Sequence, residues 1–564
     1  MNKLTTLDYA VFLIYFVVVA AYGVWIYKRK QRSEASTTDF FLAEGSLTWW
    51  AIGASLIASN ISAEQFIGMS GDGFAVGVAV AAYEWIAAIA LIILAVFFMP
   101  IYLQNRIYTM PQFLTERYNQ TVAMIMAVFW LFLYVFVNLT SILYLGAKAI
   151  SGLTGAASPQ PIMIALAVFA TIITIGGMKV IGFTDVIQVL VLIIGGLATT
   201  YIALTLVSEH FGAGKDVIAG FNFLVKDAGD HFHMIIPKPG PDATQADIDK
   251  YMKLPGFLMY LAGIWIVNLN YWGCNQYITQ RALGADIHTA RTGILFAGFL
   301  KLFMPVIVML PGIAAYVLHR NGALGGGELE PDGAYAAILA YLPEGLRGLS
   351  MAALTAAIVA SLAGKANSIS TIFTLDIYHK YINPKATEAK MVWLGRVVIV
   401  IAMITAIAFT WNDTLGIGAE GGFTFIQKYT SYVSPGVFAL FLLGMFWKRT
   451  TGAAAVAGVI VGFILSVFFN RIAPNVLGNE TFLYKAYPQV GAEGKIFFEV
   501  PFQVSMGLSF AFTVLTMVIV SLFGPKDNPK AFKVDKAMFR VAPSTAVMIV
   551  VMLMMLAALY VRFW

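Results

Sequence analysis

Charge is scarce in this chain. Only 12% of its 564 residues are Asp, Glu, Lys or Arg while 59% are hydrophobic, against roughly 25% charged in soluble domains. That balance excludes a water-soluble globule and marks a polytopic membrane protein. Cysteine is scarcer still, and the single Cys274 rules out an internal disulfide. The formal net charge of +6 does not point to nucleic acid, because the basic residues gather in short loops between apolar runs, where they set membrane orientation. HExxH and GxSxG are both absent, as is a pair of carboxylates at one membrane depth, which argues against an intramembrane hydrolase or glycosyltransferase and for a protein that is not an enzyme.

Apolar sequence in runs of membrane length is what the chain has most of. About fourteen such runs stand near 8–27, 49–70, 78–101, 121–150, 161–175, 182–207, 256–277, 290–318, 347–378, 390–411, 421–446, 451–470, 502–523 and 542–562. The expected architecture is an all-α membrane protein of about fourteen transmembrane helices. The first run is too long for a signal-peptide core and is expected to be retained. Placing both termini outside puts Lys28, Arg106, Arg117, Lys179, Arg281, Lys380, Lys448 and Lys526 in cytoplasmic loops, as the positive-inside rule asks. The long loops near 208–255, 319–346 and 471–501 then lie outside. His231 and His233, a possible metal pair, and the DxD form Asp247-Ile248-Asp249 lack supporting ligands and read as solvated loop residues. The segment 107–118 reads as a short interfacial helix that only connects.

The chain is organised around residues 49–69, WWAIGASLIASNISAEQFIGM, an apolar segment with a polar knot at its middle. Amide, hydroxyl and carboxyl groups at bilayer depth are costly unless they face protein or a water-filled cavity, so their clustering marks a site. On a helix, Ala58, Ile61, Ser62, Gln65 and Met69 share one face. A break at Asn60-Ile61-Ser62 frees carbonyls to ligate a cation, as in the broken helices of secondary transporters.

Further polar groups stand out in other spans. Glu84, beside Tyr83, needs amide, lysine or hydroxyl partners, or a proton. Asn268, Tyr271, Trp272 and Asn275 form a polar-aromatic stripe next to Gly273, where the helix is expected to unwind. Lys301 lies too deep for easy snorkelling and implies a cavity or an acidic partner. Phe423 and Gln427 are one turn apart, as are Ala357, Ser361 and Lys365 in succession. Asp185 opens its span, where capping of the helix competes with a functional role. Amides, one carboxylate, one ammonium and the rings of Tyr83, Tyr271, Trp272 and Phe423 suit a sugar, whose hydroxyls take mixed donors and acceptors and whose C–H face packs on rings. A phosphorylated or carboxylated solute calls instead for arginine forks, and none lies in these stripes.

The stretches ASNISAEQFIGMSG, YEW, GGMKVIGFTDVIQ, YWGCNQYITQR, LAGKANSISTIFTLDIY and FIQKYTSYVSPGV closely resemble the solute:sodium symporter family, in particular its bacterial sodium/galactose branch, from about residue 8 to the carboxyl terminus. The resemblance implies a LeuT-type core of five plus five helices in inverted repeat. Its parts are a leading helix and loop (1–48), a first repeat (49–207), an extracytoplasmic loop (208–255), a second repeat (256–446) and three trailing helices (447–564). It implies sugar held by Gln65, Glu84, Asn268, Lys301 and Gln427 with Asn60 and Ser62 close by, Tyr271 stacked on the ring as inner gate, and Met69, Tyr83 and Phe423 as outer caps. It implies sodium held by carbonyls of Ala58, Ile61 and Ala357 and two adjacent hydroxyls. Two positions depart from the pattern: Ala360 replaces the first of those hydroxyls, leaving Ser361, and Ala87 stands where the branch has a sugar-contacting serine.

The expected function is sodium-coupled uptake of a hexose such as galactose or glucose by alternating access, with sodium as the ion and no organic cofactor. The expected setting is the bacterial inner membrane, with the sugar and the lipid bilayer as partners, no nucleic acid, and a monomer or weak homodimer. A second reading takes the Lys365 amine as a tethered cation that replaces sodium and pairs with Asp185 or the freed carbonyls, giving sodium-independent or proton-coupled transport. In the plainer alternative Lys365 is solvated along the cytoplasmic exit path. A sugar sensor on the same fold is a remote third possibility.

Overall fold

The computed structural model describes residues 4–30, 40–41, 47–156, 158–261, 263–324, 329–413, 415, 417, 422–490 and 495–564. Among these, ten helices are long and apolar enough to cross a membrane, and twelve when each of two bent pairs counts as one span. The two remaining expected spans are also helical. Gln160–Ile175 is short, at 16 residues, and the segment that begins with Trp49–Asn60 is interrupted. The helical architecture is therefore the expected one, except in the last long loop, where Tyr487–Val490 pairs antiparallel with Ile496–Glu499. The β-branched and aromatic residues Tyr487, Val490, Ile496, Phe497 and Phe498 favour strand there.

The other long loops also carry structure, for local reasons. Asp216 caps Val217–Asp227 by accepting from the Ile218 and Ala219 amides. Thr244 and Asp247 form a reciprocal capping box on Gln245–Lys253, so the first carboxylate of the DxD form is an N-terminal helix brace. His231 departs from expectation: it is buried, its Nε2 lies 3.1 Å from the Phe74 carbonyl and its ring stacks on Tyr316 at 4.0 Å. His233 is exposed, as expected.

The chain divides into two compact units. The first comprises Met1–Ala81, Ala127–Phe232 and Gln276–Ile426. In it, Trp49–Asn60 packs on Ile287–Val308 and on Met178–His210, which in turn packs on Leu346–Thr371. The first crossing is close because it is made through glycines: an added Cβ on Gly53 would stand 2.8 Å from the Gly293 carbonyl, and one on Gly293 would stand 2.8 Å from the Trp49 carbonyl. Asp8, in the leading helix Thr6–Lys30, is buried and accepts from the Gly345 and Gly348 amides at 2.8 and 3.0 Å, tying that helix to the start of Leu346–Thr371.

The second unit comprises Ala82–Met126, His233–Asn275 and Gln427–Trp564. Here the segment expected only to connect proves to be an anchor. Its helix, Met110–Arg117, ends in a fully buried guanidinium that donates to the carbonyls of Gly444 at 2.7 Å and of Trp447 and Thr450 at 3.0 Å. Arg117 is thus not a solvated loop charge; five fixed donors let it satisfy the carbonyl end of Ser434–Phe446. Gly263–Cys274 is braced in the same unit by the Tyr102 hydroxyl, which donates to the Gly273 carbonyl at 2.7 Å. Tyr102→Phe strands that buried carbonyl and is expected to cost about 1 to 3 kcal/mol, read as a lower melting temperature of the purified protein in detergent.

Candidate functional site

The first core helix breaks where expected. Trp49–Asn60 ends at Ile61, whose backbone is extended at φ −81° and ψ 114°, and Glu64–Met69 resumes as a π-helical turn. The amides past the break are diverted to local partners. Ser62 N donates to Gln65 Oε1 at 3.0 Å, Glu64 N to Ser62 Oγ at 3.2 Å, and Gln65 N to the Ser62 carbonyl at 3.2 Å. The Ala58 and Ile61 carbonyls therefore lose the amides of Ser62 and Gln65 that would have closed the helix on them. These are two of the three carbonyls expected to hold sodium. The break also means that Ala58, Ile61, Ser62, Gln65 and Met69 do not lie along one continuous helical face, as their spacing alone had suggested.

Around the break the first unit gathers several of the expected residues, all buried. Lys301 Nζ donates to Asn60 Oδ1, so an amide oxygen is one partner of that ammonium. Phe423 lies against the backbone past the break: an added Cβ on Gly68 would stand 2.5 Å from the Phe423 Cβ and 3.0 Å from its backbone nitrogen, which puts the Phe423 backbone beside the turn that carries Met69. From the facing helix Leu346–Thr371, Ser361 Oγ donates to the Ser59 carbonyl at 3.1 Å and Lys365 Nζ donates to Ser361 Oγ at 3.0 Å. Lys365 is 2% exposed and lies 4.7 Å from the centre of the Tyr277 ring, so the picture of a solvated amine on an exit path is not what the structure shows.

Asp185 has a different place from the one expected. The helix begins at Met178, two turns earlier, so Asp185 is not an N-terminal cap. It is buried, accepts from Ser55 Oγ at 2.5 Å and lies 3.7 Å from Arg281 Nη2; its ion-pair partner is thus Arg281 and not Lys365. Arg281 Nε also donates to Ser55 Oγ at 2.7 Å and to the Ser55 carbonyl at 3.1 Å, and Nη1 donates to the Tyr277 carbonyl. Gly364 leaves room for this guanidinium, since an added Cβ there would stand 2.5 Å from Nη2 and 3.0 Å from Ser59 Oγ. Sequence reasoning placed Arg281 in a cytoplasmic loop and passed over Ser55 and Tyr277. The one signal that could have found Arg281 was Asp185 itself, because a carboxylate inside a span demands a cation.

In the second unit the helix Gly263–Cys274 ends before Asn275, one residue beyond the expected glycine. Asn268 Nδ2 donates to the Ile264 carbonyl at 3.0 Å and Asn270 Nδ2 to Ser434 Oγ at 3.0 Å. The Trp272 ring is fully buried, with Tyr271 edge-on to it at 5.1 Å and less buried. Tyr83 is held by Gln503, whose Nε2 donates to its hydroxyl at 2.7 Å. Glu84 is buried and Gln427 half-buried.

Whether the residues present fit a sodium ion divides into two parts. The carbonyl part fits, because the break releases the oxygens of Ala58 and Ile61, and a hard monovalent cation takes such oxygen ligands. The hydroxyl part is occupied from within: Ala360 supplies no oxygen, and the Ser361 hydroxyl already bridges Lys365 and the Ser59 carbonyl. No cluster of three or more His, Cys, Asp or Glu side chains suited to a metal occurs among the described residues.

Comparison with known proteins agrees with this architecture. The family model of the sodium:solute symporter family matches residues 40–462. A sodium/glucose cotransporter of Vibrio parahaemolyticus is 41% identical, over 100% of this chain and 99% of its own. The sodium/myo-inositol cotransporter 2 of Homo sapiens is 34% identical, over 82% of this chain and 69% of its own. The solved structure of a Na+-coupled sialic acid symporter superposes with a TM-score of 0.76 at 20% identity, covering 93% of this chain and 99% of that one, and so shares the LeuT-type fold. With a helix broken at membrane depth, this fold and these relatives, the chain belongs to the sodium:solute symporter family.

Proposed function

We propose that this integral membrane protein is a sodium-coupled symporter for a hexose of the glucose or galactose type, working by alternating access and doing no covalent chemistry. The observation that carries the reading is the break at Ile61–Ser62, where diverted amides leave the Ala58 and Ile61 carbonyls available to a cation. The full-length likeness to a sodium/glucose cotransporter supports the hexose and the ion. The inverted repeats are 49–207 and 256–446, the membrane is the bacterial inner membrane, and both termini face outside. Gln65, Glu84, Asn268, Lys301 and Gln427, with Asn60, Ser62 and Trp272, hold the sugar; Met69, Tyr83 and Phe423 cap it outside and Tyr271 inside. These roles rest on the motif resemblance and on side chains that mix donors, acceptors and ring faces.

Uptake of a panel of labelled hexoses into proteoliposomes, with and without sodium, tests the reading. Sodium-stimulated uptake of at least one hexose is expected, and uptake of none contradicts it. Ring stacking at the inner gate gives a narrower expectation. Tyr271→Phe keeps most of the uptake, because the ring survives, whereas Tyr271→Ala loses it. Equal loss in the two variants points to the hydroxyl and against stacking.

A further inference from the structure

The one hydroxyl left in the ion site is engaged by a positive charge from its own helix. Ser361 Oγ has a single hydrogen, which goes to the Ser59 carbonyl, and one of its lone pairs takes the Lys365 ammonium at 3.0 Å. The ammonium is also set over the Tyr277 ring at 4.7 Å, a face that attracts cations. It is buried, and it lies within electrostatic range of both the Glu64 carboxylate and the Arg281 guanidinium. Hydroxyl oxygen, ring face and nearby carboxylate make a seat for a monovalent cation, and the Lys365 ammonium sits in it.

We propose that the Lys365 ammonium is a tethered competitor of the coupling ion, occupying the Ser361 end of the sodium site so that sodium binds only by displacing it. The inference rests on the sodium-coupled reading above. Two monovalent charges about 4 to 6 Å apart at an effective dielectric of about 20 repel enough to lower affinity about 100- to 1,000-fold. The four-carbon stem of lysine lets the ammonium swing aside and recover part of that. The missing hydroxyl at Ala360 works in the same direction, by about 5- to 150-fold. Sodium binding to this chain is thereby weak and set by one side chain. The geometry does not require Lys365 to lose its proton.

The test is a sodium titration of the melting temperature of the purified full chain in detergent, without sugar, with choline replacing sodium at constant ionic strength. The half-saturating sodium concentration of the parent is expected at least about tenfold above that of Lys365→Met. Adding Ala360→Ser to Lys365→Met lowers it by a further factor of about five or more. Should Lys365→Met fail to fold, Lys365→Gln gives the same comparison, since it removes the charge but keeps a donor for Ser361. Equal midpoints in the parent and in the uncharged variants overturn the role of Lys365 and leave sodium coupling standing. No sodium response in any variant, with the protein still stabilised by sugar, overturns sodium coupling and the role of Lys365 together.

Discussion

Arg281→Met is expected to destabilise the protein by about 3 to 5 kcal/mol, because it leaves the buried Asp185 carboxylate without its counter-charge. The guanidinium is 3% exposed and joins three elements of the first unit. It faces Asp185 on Met178–His210 and both polar groups of Ser55 on the first core helix, and it belongs to the short helix Gln276–Leu283. Removing both charges is a different case, since a buried ion pair contributes little beyond well-packed apolar residues. Arg281→Met combined with Asp185→Asn is therefore expected to recover most of the lost stability. Melting curves of the parent, the single and the double variant in one detergent give the comparison. A single variant that melts with the parent contradicts the ion pair.

Gln65→Ala, Glu84→Ala and Gln427→Ala are each expected to weaken sugar binding about 5- to 150-fold, the effect of leaving one buried hydroxyl of the ligand unpaired at about 1 to 3 kcal/mol. Gln65 carries a second cost. Its Oε1 accepts from both the amide and the hydroxyl of Ser62, so Gln65→Ala also loosens the turn that holds the helix open and lowers the melting temperature. The other two variants read the sugar contact more cleanly. Binding of a labelled hexose to purified protein separates the effects, and full affinity in two of the three variants rules out these residues as the sugar site.

The spans were legible because membrane length is a long and redundant signal: among the described residues the apolar runs are mainly helical, including the short Gln160–Ile175 and the interrupted segment that begins at Trp49. The break was legible because Ser-Asn-Ile-Ser offers the backbone competing side-chain partners at a depth where water offers none. The buried arginines were not. Arg117 and Arg281 stand at the ends of spans, where short-range sequence cannot separate a solvated orienting charge from one folded back onto carbonyls 327 residues away, as Arg117 is. His231 was misread for the same reason, since its stack on Tyr316 joins residues far apart in the chain. Lys365 lies between these cases. Its spacing from Ser361 is that of one helical turn and was visible, but its burial, and the use already made of the serine hydroxyl by the Ser59 carbonyl, come from a helix far off in the chain, Ser59 lying 302 residues from Ser361.

The central claim is that this chain moves a hexose uphill at the expense of a sodium gradient. The most direct measurement is the time course of labelled glucose and galactose accumulation in proteoliposomes at saturating outside sodium, with and without an inward sodium gradient. The account predicts a transient internal sugar concentration above the external one under the gradient, and simple equilibration when sodium is equal on both sides. Identical time courses under the two conditions would contradict it.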